Sequence, residues 1–260
     1  MSDNAKKIIP ASVDKAIENI TDKPTKNMGT TFADLWYLVF GGVSHAADKR
    51  RIKYQIALEE FEKECRHKID AIPEEKRIDP DVQIAASALE ASKYCAENKE
   101  VREMFANLIA SSMNSDTADL THPSFPEILR QMSSLDAQIL SKFSIAKQYA
   151  ICEYREKAKS GGYRTLNTNI FIDEFTTNNK SDIEKRAVSI SSLVRCGVLT
   201  AEYDRWLFDT SSYDDFYSTE LYNEYIKSLP NEDSLLVQKG VVTITPLGER
   251  LLSVCLPDSV

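Results

Sequence analysis

Apolar residues in the first half of the chain recur every three or four positions, the period of an amphipathic helix. Ser12 can cap a short helix, and residues 30–40 form a strongly apolar one. A long pattern then runs from about 43 to 69, with Ile52, Ile56 and Phe61 on one side. Asp79, followed by Pro80, and Asn98 are typical helix starts. The pattern predicts a short helix and linker over 1–29, then an all-helical domain over 30–120.

The stretch "THPSFPEILRQMSSLDAQIL" at 121–140 contains two helix starts, nine residues apart. Ser124 with Glu127, and Ser133 with Asp136, each place a hydroxyl at a cap position and a carboxylate three residues later. That spacing is typical of a capping box. His122 precedes the first cap, where a polar loop residue is expected. The stretch therefore predicts the boundary at which a second domain, 121–260, begins.

The second half changes period and predicts strands. Two β-leaning runs flank Gly161-Gly162, which is typical of a hairpin. A helix follows at 182–196, Gly197 ends it, and two strands and a final helix complete the order. That order is typical of a winged-helix variant. The predicted fold class is mainly α with a small α+β part: a helical layer, then a winged-helix-like domain. Its wing is lengthened by an insertion at 206–235 that contains an acidic aromatic helix, "YDDFYSTELYNEYI".

Three segments resemble one known family: "VREMFANLIASSMN", "THPSFPEILRQMSSLDAQIL" and "VVTITPLGERLLSVC". Together with "GG" at 41–42, they resemble the abortive infection alpha (Abi-alpha) domain of bacterial phage defence, over roughly residues 30–256. The resemblance implies a role in phage exclusion. It implies no catalytic residue, because the family carries no established one to transfer.

Charge argues against a nucleic-acid surface. The chain has 32 basic and 40 acidic residues, a net charge of −8 and a pI near 5.1. The candidate DNA-recognition helix contains four residues suited to base or phosphate contact: Lys185, Arg186, Ser189 and Arg195. The wing opposes them, because 204–233 holds two basic and eight acidic residues. Since affinity for DNA depends largely on neutralised phosphates, we expect this domain to contact protein instead, with DNA-binding regulation as the alternative.

The wing is also rich in aromatic residues, which dominate protein–protein hot spots. The predicted binding residues are Trp206, Phe208, Tyr213, Phe216, Tyr217 and Tyr222. Surrounding carboxylates favour a basic partner, and a phage-derived protein is one candidate. The alternative is that aromatics spaced four apart pack the insertion onto its own domain, and both can hold at once.

No sequence motif indicates catalysis, a metal or a cofactor, so we expect a non-enzymatic interaction or sensing component of phage defence. His45-x-x-Asp48 and His67-x-x-Asp70 resemble ligand pairs. On one helix, however, they would lie roughly 33 Å apart, too far to share an ion. The five cysteines form no close pair. With no apolar leader at the start, they predict reduced thiols and a cytoplasmic location.

The apolar stretch "FADLWYLVFGGV" at 32–43 is about half the length that spans a bilayer, and Asp34 interrupts it. Because "KRRIK" follows, a membrane-surface helix is a second alternative. A core helix with a basic edge is the favoured interpretation. The long apolar helices of 30–69 exceed what one small core must cover, so we also expect a homo-oligomer.

Overall fold

The structure, a computed structural model, describes residues 31–41, 49–159, 161–229, 231 and 234–256. The chain divides into two compact units. Unit 1 lies within Met1–Gln131 and Val254–Pro257, and unit 2 within Met132–Ser253 and Asp258–Val260. The predicted short helix over 1–29 lies outside the described residues, as do His45 and Asp48.

Unit 1 is helical, as its period predicts. Its helices are α1 (Phe32–Phe40), α2 (Lys49–Asp70), α3 (Val82–Ser92), α4 (Lys99–Ser112) and α5 (Phe125–Arg130), with 3-10 turns at Glu74–Lys76 and Ala118–Leu120. The buried side of α2 carries Phe61 and Cys65. Ile52 and Ile56 do not share that side: they are 49% and 52% exposed. They lie roughly opposite Phe61 on a helix of 3.6 residues per turn.

Local hydrogen bonds decide where these helices begin. Asn98 caps α4 as predicted, its side chain accepting from Val101 N. Helix α3 starts two residues later than predicted, because the Asp81 carboxylate, and not that of Asp79, accepts from Gln83 N at 2.8 Å. Thr31 and Asp34 form a capping box on α1.

The predicted capping box at Ser124 is wrong. Helix α5 begins at Phe125, but no side-chain bond caps it. The Ser124 hydroxyl lies 2.7 Å from His122 Nδ1, and Glu127 instead receives hydrogen bonds from Arg130. Exposed His122 is therefore a loop residue that binds the start of α5, as its position predicts.

Unit 2 mixes helices with one antiparallel sheet. Its elements are α6 (Ser134–Lys142), β1 (Gln148–Lys157), β2 (Tyr163–Phe171), α7 (Lys180–Arg195), β3 (Leu199–Glu202), a 3-10 helix (Thr210–Tyr217), α8 (Glu220–Ser228), β4 (Leu235–Ile244) and α9 (Pro246–Cys255). Several predicted boundaries are confirmed. Ser133 and Asp136 form the capping box of α6, and Gly161 and Gly162 turn the β1–β2 hairpin with φ of +90° and +81°. Gly197, at φ +73°, ends α7.

The sheet order is β2-β1-β4-β3. Strand β1 lies in the interior of the sheet and pairs with β4 over nine residues, from Gln148↔Thr243 to Glu156↔Leu235. The predicted element order is present, but four strands form the sheet and the β1–β2 hairpin is part of it. The observed fold is therefore mixed α+β, and the winged-helix assignment is not confirmed.

The insertion differs from the single aromatic helix that its sequence predicts. It divides into the 3-10 helix and α8, and the break falls at Thr219. The buried Thr219 hydroxyl accepts from Tyr222 N and lies 3.0 Å from the Tyr154 hydroxyl on β1. A hydroxyl that both caps a helix and binds the sheet favours a new helix start at this position.

Candidate interaction surface

Residues 203–229, which leave β3 and lead towards β4, form what we call the acidic arm. Two of its aromatic side chains, Tyr213 and Phe216, are buried in the hydrophobic core of unit 2. Tyr213 is fully buried and Phe216 is 1% exposed, in a cluster with Tyr154 on β1 and Ile183 on α7. The Tyr213 hydroxyl donates to Gly240 O of β4 at 2.8 Å. These two of the six predicted binding residues therefore fix the arm to the sheet and present no surface to a partner.

The root of the arm is held by Tyr203. Its hydroxyl donates to Asn169 Oδ1 at 2.9 Å and accepts from Asn169 N at 2.8 Å, while its ring covers Gly240, where any Cβ would clash. Asn169 has φ of +55°, a left-handed conformation that asparagine tolerates better than most residues. Burial raises the pKa of Tyr203 to about 12. The hydroxyl therefore stays protonated at neutral pH and can serve both bonds.

The side chains of Trp206 and Phe208 face solvent. They are 57% and 104% exposed, and they flank Leu207, which packs against the core cluster. Leu207 N donates to the Tyr213 hydroxyl at 2.9 Å. The segment is thus held from inside while its two largest side chains face solvent. Phe208 is fully exposed and Trp206 is mainly exposed, so burial of these two side chains contributes little to the stability of the fold. The exposed pair is therefore the feature of the arm that the core does not explain.

The two remaining candidate aromatics are intermediate cases. Tyr217 is 45% exposed, and Tyr222 is half-buried with its ring 5.7 Å from that of Tyr217 and 5.9 Å from that of Tyr154. The predicted packing role of the arm's aromatics therefore occurs, whereas the predicted binding role stays a prediction. One set packs on the domain, and the other remains at the surface.

The acidic arm also carries exposed carboxylates. Asp204, Asp214 and Asp215 are exposed and form no ion pair within the part of the chain that the structure describes. Asp209 caps the 3-10 helix, and hydrogen bonds from Ser211 lower the pKa of its carboxyl. Arg205 is paired with Glu202, so exposed Lys227 is the one basic residue of the arm without an ion pair among the described residues. The surface of the arm is therefore aromatic and anionic, a combination that suits a cationic partner.

The four predicted nucleic-acid-binding residues of α7 do not form one exposed surface. Arg186 is 6% exposed, and its guanidinium binds Asp173 at 2.9 Å and Asp182 at 3.2 Å. Ser189 is 3% exposed and donates to the buried carboxylate of Asp136 on α6. Both are structural residues, because each is a buried polar group that must be paired. Lys185 and Arg195 remain exposed, ten positions and roughly 15 Å apart along the helix.

Candidate chemistry elsewhere is sparse in the described residues. No group of three or more His, Cys, Asp and Glu side chains among them is arranged to hold a metal ion. Burial raises the pKa of the Cys152 thiol well above its usual range, which disfavours the reactive thiolate. On α1, Trp36 packs 4.4 Å from the Phe40 ring and 5.5 Å from that of Phe61, as the core-helix interpretation expects. Among the described residues, no helix combines the length and apolar character needed to cross a bilayer.

One charged feature is missed by the sequence analysis. The turn of the β1–β2 hairpin presents exposed Lys157 and Lys159 beside Tyr163, which is 56% exposed. Two lysines within four residues of the predicted Gly161-Gly162 turn are the signal that could have identified it. The strand register places Lys157 directly opposite Tyr163.

A family model, Abortive infection alpha, matches residues 53–255. The chain belongs to the abortive infection alpha family. The match confirms the resemblance seen in the sequence and spans most of both units, including the acidic arm and the hairpin. Membership associates the chain with abortive infection and antiviral defence.

Two further comparisons add little to this family assignment. No curated protein matches the chain. A solved structure described as that of an uncharacterized protein from the marine bacterium Alcanivorax borkumensis SK2 is 15% identical, covers 54% of this chain and 94% of its own, and has a TM-score of 0.32. At that score, the likeness carries no information about fold or role.

Proposed function

We propose that this abortive infection alpha protein is a non-enzymatic interaction component of phage defence, and that the acidic arm binds a basic polypeptide through Trp206 and Phe208. The observation that supports this most strongly is the complete exposure of Phe208 next to a residue that is fixed to the core. Tyrosine, tryptophan and other aromatics in preorganised positions bind at low entropic cost. In this proposal, unit 2 is a winged-helix variant used for protein contact.

The electrostatics of the arm support a basic partner in particular. A cation that approaches the Trp206 or Phe208 ring gains the attraction of the ring face, about 0.5–1 kcal/mol at an exposed site. Asp204, Asp214 and Asp215 would draw the same partner from a distance and speed the encounter. The family membership provides the biological setting, in which the partner is a component of the host or of the phage.

The test compares phage plating on hosts that produce the wild type, Trp206→Ala/Phe208→Ala, or the control Tyr37→Ala/Tyr94→Ala. The control removes two aromatics of unit 1 that are 75% and 76% exposed. We expect the arm variant to lose protection by at least about tenfold, as the loss of one hot spot predicts, while the control retains it. A folded arm variant that protects fully would contradict the proposal.

DNA binding is the second candidate function, supported by the element order of unit 2 and by exposed Lys185 and Arg195. Because Arg186 and Ser189 are buried and Lys180 is paired with Glu224, Lys185 and Arg195 are the two cations of α7 that remain for phosphate contact, too few for tight binding. We expect no binding to duplex DNA even at about 50 mM salt, where phosphate contacts are strong. Binding that Lys185→Glu/Arg195→Glu abolishes would favour the DNA function over protein contact.

A further inference from the structure

The tip of the β1–β2 hairpin is a basic counterpart of the acidic arm. Lys157 and Lys159 are exposed, and neither forms an ion pair within the described ranges of the chain. Arg164, by contrast, binds Glu156 at 2.5 Å. Backbone hydrogen bonds fix the turn, since Ala158 N donates to Gly162 O and Gly161 N to Ala158 O, each at 3.0 Å. The described residues of the tip therefore carry two positive charges without an ion pair, next to backbone hydrogen bonds that join Ala158 to Gly161 and Gly162.

Within one copy, the lysines of the tip lie too far from the exposed aromatic pair of the same chain to contact it. The pair is fixed near Gly240, through the Leu207–Tyr213–Gly240 hydrogen bonds, and Gly240 pairs with Ile151. Lys157 lies six residues further along β1, roughly 20 Å away at 3.3 Å per residue. A lysine side chain is much shorter than this. The hairpin tip and the exposed aromatic pair thus remain apart in a single copy.

We propose that the hairpin tip of one copy binds the acidic arm of a second copy of this chain. Lys157 and Lys159 lie against the Trp206 and Phe208 rings, and their charges face the carboxylates of Asp214 and Asp215. The inference rests on the proposed function and identifies the basic polypeptide as a second copy. Each copy offers both surfaces, so two copies can exchange tips in a closed dimer.

The physics of the contact predicts moderate, salt-sensitive association. Exposed ion pairs contribute little individually, and salt screens them over a Debye length of about 8 Å at physiological ionic strength. The aromatic rings add apolar area that salt does not screen. Self-association should therefore weaken, but not vanish, as salt is raised.

The test is a complementary charge reversal, measured by sedimentation velocity on the full-length protein. The tip variant is Lys157→Glu/Lys159→Glu, and the arm variant is Asp214→Lys/Asp215→Lys. At about 100 µM, where micromolar complexes are nearly all formed, the wild type should associate. Each variant alone should lose affinity by about tenfold or more, because attraction becomes repulsion at both contacts. Mixed one to one, the variants should associate again, since the arm of each then opposes a tip of opposite charge.

A matched control for the tip variant is Lys63→Glu/Lys99→Glu. It changes the net charge by the same amount as the tip variant, at two exposed lysines of unit 1. It should associate like the wild type. Three outcomes would each overturn the inference. The wild type could be monomeric, both charge-reversal variants could associate as strongly as the wild type, or the one-to-one mixture could stay monomeric. The plating test separates this from the proposed function: a monomeric wild type that still needs Trp206 and Phe208 for protection would leave that function standing with another basic partner.

Discussion

The acidic arm and helix α7 both contain residues whose types predict binding, and the fold uses them in opposite ways. In α7, the charged Arg186 and the polar Ser189 turn inward and meet buried carboxylates. In the arm, the apolar Trp206 and Phe208 turn outward. Residue type alone would predict the reverse. The difference shows that a side chain's exposure follows from the partners that neighbouring elements provide, and not from residue type alone.

The largest effect should come from Arg186→Ala. The substitution leaves the Asp173 carboxylate, whose side chain is 3% exposed, without its guanidinium partner. Removing one member of a buried ion pair costs about 3–5 kcal/mol. Because Lys142 Nζ still lies 3.4 Å from the Asp173 carboxylate, we expect the lower end of that range. Urea unfolding should show this loss.

The matched control for that prediction is Lys185→Ala, one position away on the exposed side of α7. It should change the free energy of unfolding by no more than about 0.5 kcal/mol. If both substitutions changed the free energy of unfolding equally, the buried Arg186 would contribute no more to stability than the exposed Lys185. That result would contradict the comparison.

The next effect should come from Tyr213→Phe, which removes the hydroxyl shared by Leu207 N and Gly240 O. Leaving such groups without a partner costs about 1–3 kcal/mol. The exposed pair should also lose its fixed position, so limited proteolysis by chymotrypsin should cut faster after Phe208. A cut rate equal to that of the wild type would show that the hydroxyl does not hold the segment. Tyr222→Phe, in a half-buried ring of the same arm, is the control.

A smaller and pH-dependent effect is expected at Asp182, near the start of α7. Burial opposes its ionisation, but hydrogen bonds from Thr177 N and the Arg186 guanidinium outweigh burial and lower the carboxyl pKa below its ordinary value of 3.8. A carboxyl with a lowered pKa in the folded state stabilises the fold above its unfolded pKa, and loses that contribution as pH falls through the folded value. Asp182→Asn should therefore destabilise at pH 7. Urea midpoints of the variant and the wild type should converge towards pH 2, and a constant difference would contradict the assignment.

The smallest effect on stability should come from Trp206→Ala/Phe208→Ala. Because both side chains are mainly exposed, we expect the free energy of unfolding to change by no more than about 0.5 kcal/mol. The same variant is expected to lose phage protection, so stability and function separate in the arm. A large loss of stability would show instead that the pair packs on its own domain.

The element order and most helix and strand limits follow from the sequence. The family resemblance also follows from it, and the match over 53–255 confirms it. The clearest failures are at capping residues with competing partners. Ser124 has the right spacing to Glu127 for a capping box. The Ser124 hydroxyl instead hydrogen-bonds His122, and the Glu127 carboxylate accepts from Arg130. At the candidate site, the sequence identified the arm and its charge but could not divide its aromatics into buried and exposed.

Local sequence was sufficient at three places where the deciding interaction spans about four residues and meets no competing partner: the Ser133 cap, the Gly161-Gly162 turn and the stop at Gly197. Tertiary structure decided the rest. Arg186 meets Asp173 from the preceding loop, and Tyr213 meets Gly240, 27 positions later in the chain. The physical reason is that helical period specifies which residues share a face, whereas the direction of that face depends on partners brought together only when the chain packs.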